Sequence, residues 1–234
     1  MSLLLAICTS TQQSSVGVGD RGGMVAEMRL VRAHGHAELV APAIEFCLEA
    51  AGAVPADLTG VVVDHGPGLF SGLRVGIATA KTFAAALGLP VVALSGLDLL
   101  AMAVRHTGRV IVTAVDARRG EVFWARYVPV PGGVERLGDY GVSSPHALAA
   151  ELQAGGEEVL VVGTGAVEHR DVFGKVDHVE LGDITTAHPA ATAALALAVE
   201  RFDREEFVSA REVIPLYLRR SDAEIKWEGR RSDA

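Results

Sequence analysis

Residues 3–9 form an apolar run that closes on three small hydroxyl residues, Thr9, Ser10 and Thr11. Two more strand-like stretches, 15–19 and 24–31, meet at Gly22 and Gly23, and the three together predict a meander. From His36 to Ala51 the period changes. Leu39, Val40, Ala43, Ile44, Cys47 and Leu48 recur at helical spacing, Gly52 supplies a stop, and Pro42 should kink this helix or mark its first turn. Residues 61–63 read as a short buried strand. After a glycine-rich loop, 71–87 predicts a second helix ended by Gly88, then a strand over 91–94 and a third helix over 95–104.

The same order then begins again. Residues 110–116 are an apolar run, 117–120 a polar turn and 121–130 an alternating strand. Aligning Asp116 with Cys8 sets the halves 108 residues apart, too far for a solenoid repeat and suitable for a duplicated domain. A helix near 145–153, a strand over 159–162, a glycine turn at 163–165 and a helix over about 189–202 complete the second half. Three strands, helix, strand, helix, twice over, predict a duplicated α/β fold of mixed sheets covered by helices. The lobes are residues 1–105 and 106–217, and 218–234 is a charged, solvated tail in which Ile225 and Trp227 stand among polar neighbours.

At 234 residues, with 50% hydrophobic and 21% charged side chains, the chain can bury a sizeable core and is not intrinsically disordered. Its 21 Lys and Arg against 29 Asp and Glu leave a net charge of −8, which predicts negligible grip on a nucleic-acid backbone by the chain alone. Cys8 and Cys47 are too few for a disulfide framework and point to a reducing compartment, the cytoplasm. The apolar opening lacks the basic segment of a signal peptide, so it reads as a buried first strand, and no apolar run is long enough to span a membrane.

The loop His65 to Gly72 (HGPGLFSG) runs from a strand into a helix, where glycines let a backbone approach an anion and the helix start offers free N–H groups. Gly66, Gly68, Ser71 and Gly72 are therefore candidate anion- or nucleotide-facing residues, joined by Asp116 at a strand end and by Gly163 and Gly165 in the second half. The competing reading is a structural turn with Ser71 as N-cap. The loop has neither the lysine of a Walker A motif nor the glycine spacing of a dinucleotide fold. Arg74 in the following helix's first turn opposes the helix dipole, which an anion or acidic partner nearby would explain. The eight histidines include no pair four apart, so no metal site is expected. No G-x-S-x-G occurs, and both cysteines sit in apolar runs, which leaves peptidase chemistry without a nucleophile. Asp116 could serve metal-phosphate chemistry, but its repeat partner is Cys8, a thiol that cannot replace a carboxylate toward magnesium.

These residues carry a family resemblance over most of the chain. Residues 3–11 (LLLAICTST), His36-Ala37-Glu38, 65–76 (HGPGLFSGLRVG), 116–122 (DARRGEV), 163–166 (GTGA) and 215–219 (PLYLR) resemble the TsaB family, also called YeaZ. The resemblance implies an actin-like, sugar-kinase-like fold of two RNase H-like lobes. It further implies a non-catalytic subunit that pairs with the catalytic paralogue TsaD, assisted by the ATPase TsaE. That machinery transfers threonylcarbamoyl to N6 of adenosine 37 in tRNA, which the chain would meet only through the complex. No intrinsic cofactor is implied, apart from a nucleotide at the subunit boundary. The chain departs from the family pattern at Cys8, where Asp is usual, and at Leu69 and Ser71, where Ser and Thr are common. The alternative is an ATP-dependent kinase of the acetate or sugar kinase class using Asp116, and a glycoprotease rests on old family naming alone.

The first two helices offer more apolar arc than one sheet needs, roughly 200° on the first. The surplus predicts a second burial surface comprising Leu39, Val40, Ala43, Cys47, Arg74, Val75, Ala78 and Lys81, against the competing reading of simple core packing in an alanine-rich chain. It would form a helical bundle with the catalytic paralogue, or with a second copy of the chain when that partner is absent.

Overall fold

A computed structural model describes residues 3–32 and 35–219. The first half runs β1 (Leu3–Cys8), β2 (Gln13–Asp20), β3 (Gly23–Val31), α1 (His36–Ala50), β4 (Leu58–Asp64), α2 (Phe70–Leu87), β5 (Val91–Leu94) and α3 (Gly96–Ala103). The second runs β6 (Val110–Arg118), β7 (Glu121–Val130), β8 (Gly133–Ser143), α4 (Pro145–Gly155), β9 (Val159–Val162), α5 (Thr164–Glu168), α6 (Arg170–Phe173), β10 (Val179–Leu181) and α7 (Ala191–Asp203). The sheets are ordered β3-β2-β1-β4-β5 and β10-β9-β6-β7-β8. Reversing the second list reproduces the first, with the hairpin strands antiparallel and the crossover strands parallel in both, so the duplication is present in the topology.

The helix predicted over residues 36–51 forms because Val40, Ala43, Ile44, Cys47 and Leu48 make one stripe at i, i+3, i+4, i+7 and i+8, and all five are buried against the first sheet. Each large aliphatic on such a stripe contributes about 1.5–3 kcal/mol by leaving water. Pro42 sits beyond the first turn on the exposed side, where a missing N–H leaves the carbonyl of Glu38 to solvent. α2 lies beside α1 on the same sheet face.

Two local expectations need correction, and one strand was not expected. Ser71 is not the cap of α2, which starts one residue earlier with Leu69 at the cap position, and Ser71 is exposed within the first turn. Gly163 turns at φ +105°, but Thr164 already opens α5, so the predicted glycine turn is a helix start. β10 was not foreseen, since a three-residue strand is too short to show a period. The predicted tail falls, from residue 220 onward, outside the described residues, and Ile225 and Trp227 with it.

α3 and α7 lie between the sheets and are exchanged. α3, from the first half, packs on β6, β7 and β8, while α7, from the second, packs on all five strands of the first sheet. α3 is fastened to its adopted sheet by Asp98, whose Oδ1 accepts hydrogen bonds from the hydroxyls of Tyr127 at 2.8 Å and Tyr140 at 3.0 Å. α7 is fastened by Ser15 Oγ, which accepts from Ala191 N at 2.8 Å, and by Glu27, which accepts from the Thr192 hydroxyl at 2.6 Å. Among the described residues no helix is long and apolar enough to cross a membrane.

Candidate functional site

The parallel strands β1, β4, β6 and β9 end at a cleft between the lobes. Residues 10–12 after β1, Leu69 before α2, Val115, Asp116 and Arg118 of β6, and Thr164 and Glu168 of α5 line a cavity of about 240 Å³ there. The glycine loop meets the turn after β1 directly. Leu69 N donates to Ser10 O at 2.7 Å, and the Thr9 hydroxyl donates to Gly72 O at 2.8 Å. A Cβ on Gly68 would stand 2.0 Å from Ser10 O and one on Gly72 2.1 Å from Thr9 O. These two glycines thus admit the chain's own backbone. On the Cβ side each glycine meets the turn after β1 and not open space. Gly66, with φ +107°, is also buried, and its N–H donates to Asp64 Oδ1 at 2.9 Å. In the second lobe, Cβ atoms on Gly163 and Gly165 would lie 2.2 Å and 3.0 Å from Ala114 O. Of the predicted set, Asp116 lines the cleft, and exposed Ser71 belongs to the outer end of α2.

Asp116 is held from both sides. Its N–H donates to the Thr164 hydroxyl at 2.9 Å, Oδ1 accepts from Arg118 N at 3.0 Å, and Oδ2 lies 3.3 Å from Arg118 Nε. Arg118 has φ +63° and Arg119 +57°, left-handed conformations uncommon outside glycine and asparagine. Burial, and then the charge of Asp116, raises the pKa of neighbouring Glu168. Across the cleft the Thr11 hydroxyl meets His188 Nδ1 at 2.9 Å, and burial lowers that imidazole's pKa.

Cys8 is fully packed among Leu99, Met102 and Ala194 between the first sheet and the exchanged helices. Burial, reinforced by the charge of Asp64, pushes its thiol well up, so it is a neutral core residue. Asp64 itself was missed by sequence reasoning, although it ends a buried strand just as Asp116 does. Its side chain is completely buried, and burial raises its pKa above the ordinary carboxylate value. Oδ2 of Asp64 and the adjoining Ser10 Oγ make no hydrogen bond of good geometry among the described residues. A Cβ on Gly96 would be 3.0 Å from Ser10 Oγ and 3.1 Å from Asp64 Oδ1, so the two side chains share one crowded polar pocket.

This site fits a nucleotide poorly. Its enclosed space, about 20 Å³, is far below the roughly 300–1,000 Å³ of small-molecule pockets, two carboxylates face it, and the cation lining it already pairs with Asp116. Among the described residues, no three His, Cys, Asp or Glu side chains gather as metal ligands would.

The predicted partner face divides. Val40, Ala43 and Cys47 are at most 3% exposed and belong to the core under α1, with the Cys47 thiol donating to Val16 O at 3.3 Å. These three cannot meet a partner, because the stripe read as surplus arc is the one that seats the helix on its own sheet. Arg74 and Ala78 are exposed, and Leu39, Val75 and Lys81 are half-buried. The outward side of α1 consists instead of Ala37, Ala41, Pro42 and Phe46 with Glu38, Glu45 and Glu49, and Phe46 is 53% exposed.

Residues 9–227 match the family described as TsaD, tRNA N6-adenosine threonylcarbamoyltransferase. The chain is 31% identical to the tRNA threonylcarbamoyladenosine biosynthesis protein TsaB of Escherichia coli, covering 97% of this chain and 99% of that one. It belongs to the TsaB/YeaZ family. The TsaB of Bacillus subtilis is 29% identical over 96% of this chain and 97% of its own. YeaZ from Pseudomonas aeruginosa superposes with a TM-score of 0.79 at 31% identity, covering 93% of this chain and all of that one. Component A of the (R)-2-hydroxyglutaryl-CoA dehydratase of Acidaminococcus fermentans superposes at 0.51 with 13% identity over 86% and 99%, which extends the likeness to fold alone. This TsaB/YeaZ family member thus has the duplicated actin-like, sugar-kinase-like architecture.

Proposed function

We propose that the chain is a non-catalytic dimerisation and activating subunit in the synthesis of N6-threonylcarbamoyladenosine at adenosine 37 of tRNA. It binds a TsaD-like catalytic paralogue through the outer faces of α1 and α2. A TsaE-like ATPase joins the complex, and tRNA is engaged only there. The observation that carries the reading is the outward apolar surface of the paired helices, with Phe46, Phe70, Ala78 and Leu87 exposed. Apolar surface of that kind on rigid helices suits burial against another chain. Any nucleotide would sit at the boundary with the partner, where a second chain can add the volume and positive charge that the cleft lacks. The kinase alternative is disfavoured by the neutral thiol at Cys8 and the small enclosed space of the cleft.

The test is co-purification with the catalytic paralogue. Ala78→Glu places a charge on an exposed position, so the monomer should keep its circular dichroism and melting temperature while affinity for the paralogue drops by about tenfold or more. Wild-type affinity in a folded variant would place the interface elsewhere. Phosphoryl transfer by the isolated chain to a panel of sugars and carboxylic acids would overturn the reading in favour of a kinase.

A further inference from the structure

The chain after α7 does not leave the body. Val208 pairs with Val91 at the edge of the first sheet, with both backbone hydrogen bonds at 2.9 Å. Val213 is sunk into the first core at 2% exposure, and Lys81 Nζ donates to its carbonyl at 3.0 Å. His65 grips the next residues from both sides, its Nδ1 3.1 Å from Ile214 O and its carbonyl accepting from Leu216 N at 2.8 Å. Arg219 then crosses to the second lobe, donating to Glu121 at 2.6 Å and to Ala117 O at 3.0 Å. Residues 208–219 are therefore a strap with little freedom left to lose on binding.

On this pinned strap the outward residues are apolar. Ile214 is 70% exposed, more than any other large hydrophobic side chain among the described residues. Tyr217, 49% exposed, stacks on Phe70 of α2 with ring centroids 5.9 Å apart at 29°. The Arg74 guanidinium lies 3.8 Å from the Phe70 centroid. Single exposed hydrophobics are ordinary, but here an aliphatic, two aromatics and an arginine are held by one strap and one helix end, and Tyr and Arg are the residue types that dominate binding hot spots. Arg74 adds an independent sign. It is the fifth residue of α2, near the positive end of the helix dipole, and no carboxylate pairs with it among the described residues.

We propose that Ile214, Tyr217, Phe70 and Arg74 form an anchor for the catalytic paralogue, which covers Ile214 and Tyr217 with apolar side chains and brings a carboxylate to Arg74. The partner surface then continues from the helices onto the strap, and this inference rests on the function proposed above. A protein occupant is favoured over RNA by the bare Ile214, by the engagement of the Lys81 ammonium with carbonyl oxygens, and by the chain's net charge of −8.

The experiment is calorimetric titration of the full chain with the paralogue, using Ile214→Asp, Tyr217→Ala and Arg74→Gln, with Ala78→Glu as reference. Ile214→Asp and Arg74→Gln should melt close to the wild type, Tyr217→Ala slightly lower for want of its stack on Phe70, and all three should stay folded and bind about tenfold or more weakly. If Ala78→Glu weakens binding while Ile214→Asp and Tyr217→Ala do not, the anchor is refuted and the proposed function stands. If Ile214→Asp and Tyr217→Ala leave the heterodimer intact but reduce tRNA retention by the complex, the surface reads RNA and the proposal falls. It falls too if they abolish only self-association of the isolated chain in sedimentation. Wild-type affinity in all four variants would defeat the anchor and the helix interface together.

Discussion

Removing the Tyr127 hydroxyl tests how α3 is held on the second sheet. Tyr127 is 1% exposed and gives its hydroxyl to Asp98 Oδ1 at 2.8 Å, while Tyr140 gives its own to the same carboxylate at 3.0 and 3.2 Å. A hydrogen bond to a charged acceptor contributes about 1.5–3 kcal/mol. In Tyr127→Phe the ring still fills its site and Asp98 keeps Tyr140, so no acceptor is orphaned and the loss should lie near the lower end, about 1.5–2 kcal/mol. Tyr140→Phe should cost about 1 kcal/mol, since its hydroxyl is less deeply set. In the double variant Asp98 retains, among the described residues, only Arg136 at 4.0 Å, and a part-buried carboxylate short of donors adds a penalty of about 1–2 kcal/mol beyond the sum. Urea unfolding followed by circular dichroism measures all three, and at this chain length each kcal/mol should lower the melting temperature by about 2–4 °C. An additive double variant, or a Tyr127→Phe loss under about 0.5 kcal/mol, would show that Asp98 is not the shared acceptor that fastens α3.

The same network predicts an alkaline limit. Burial, with the charge of Asp98 behind it, pushes the Tyr140 hydroxyl up to about 12, above the ordinary tyrosine value, and raises Tyr127 as well. A phenol that holds its proton more tightly when folded contributes fully below about pH 10 and loses that contribution as the pH rises toward 12. The wild-type urea midpoint should therefore fall more steeply than that of Tyr140→Phe across this window, and parallel curves would contradict the assignment. Gly72→Ala should destabilise the chain by about 1–3 kcal/mol although alanine is the better helix former, because its Cβ meets Thr9 O at 2.1 Å. Gly108→Ala, with nothing within 4 Å, is the control, and a Gly72→Ala protein more stable than wild type would disprove the tight contact.

The architecture was legible in the sequence because both halves write their period plainly. The β1 run and the α1 stripe depend on neighbours within a few residues, and burial then agrees with them. β10 and the start of α5 were not legible, since a three-residue edge strand and a single-turn helix are set by the sheet they join. The candidate site was legible only in part. Glycines at 68 and 72 announce a close approach, but what approaches is the turn at Thr9 and Ser10, which only the fold brings there. Cys47 and Val40 show the converse error, for an apolar arc does not say which part of it faces the sheet. The Phe70 and Tyr217 stack joins residues 147 apart, and no local pattern signals it.

The exchange of α3 and α7 bears on how the chain is made. β5, the last strand of the first sheet, ends at Leu94, whereas the helix that covers that sheet's inner face begins at Ala191. During synthesis from the N-terminus, Leu4, Ala6, Val62 and Val92 must wait with one side open until about a hundred further residues have emerged. At about 5–20 residues per second that interval lasts roughly five to twenty seconds. The nascent first half spends it as half a sandwich whose inner apolar face has only Leu99 and Met102 of α3 to cover it. The last helix to appear is therefore the one that completes the first lobe, and the two lobes reach their final packing as a single late event.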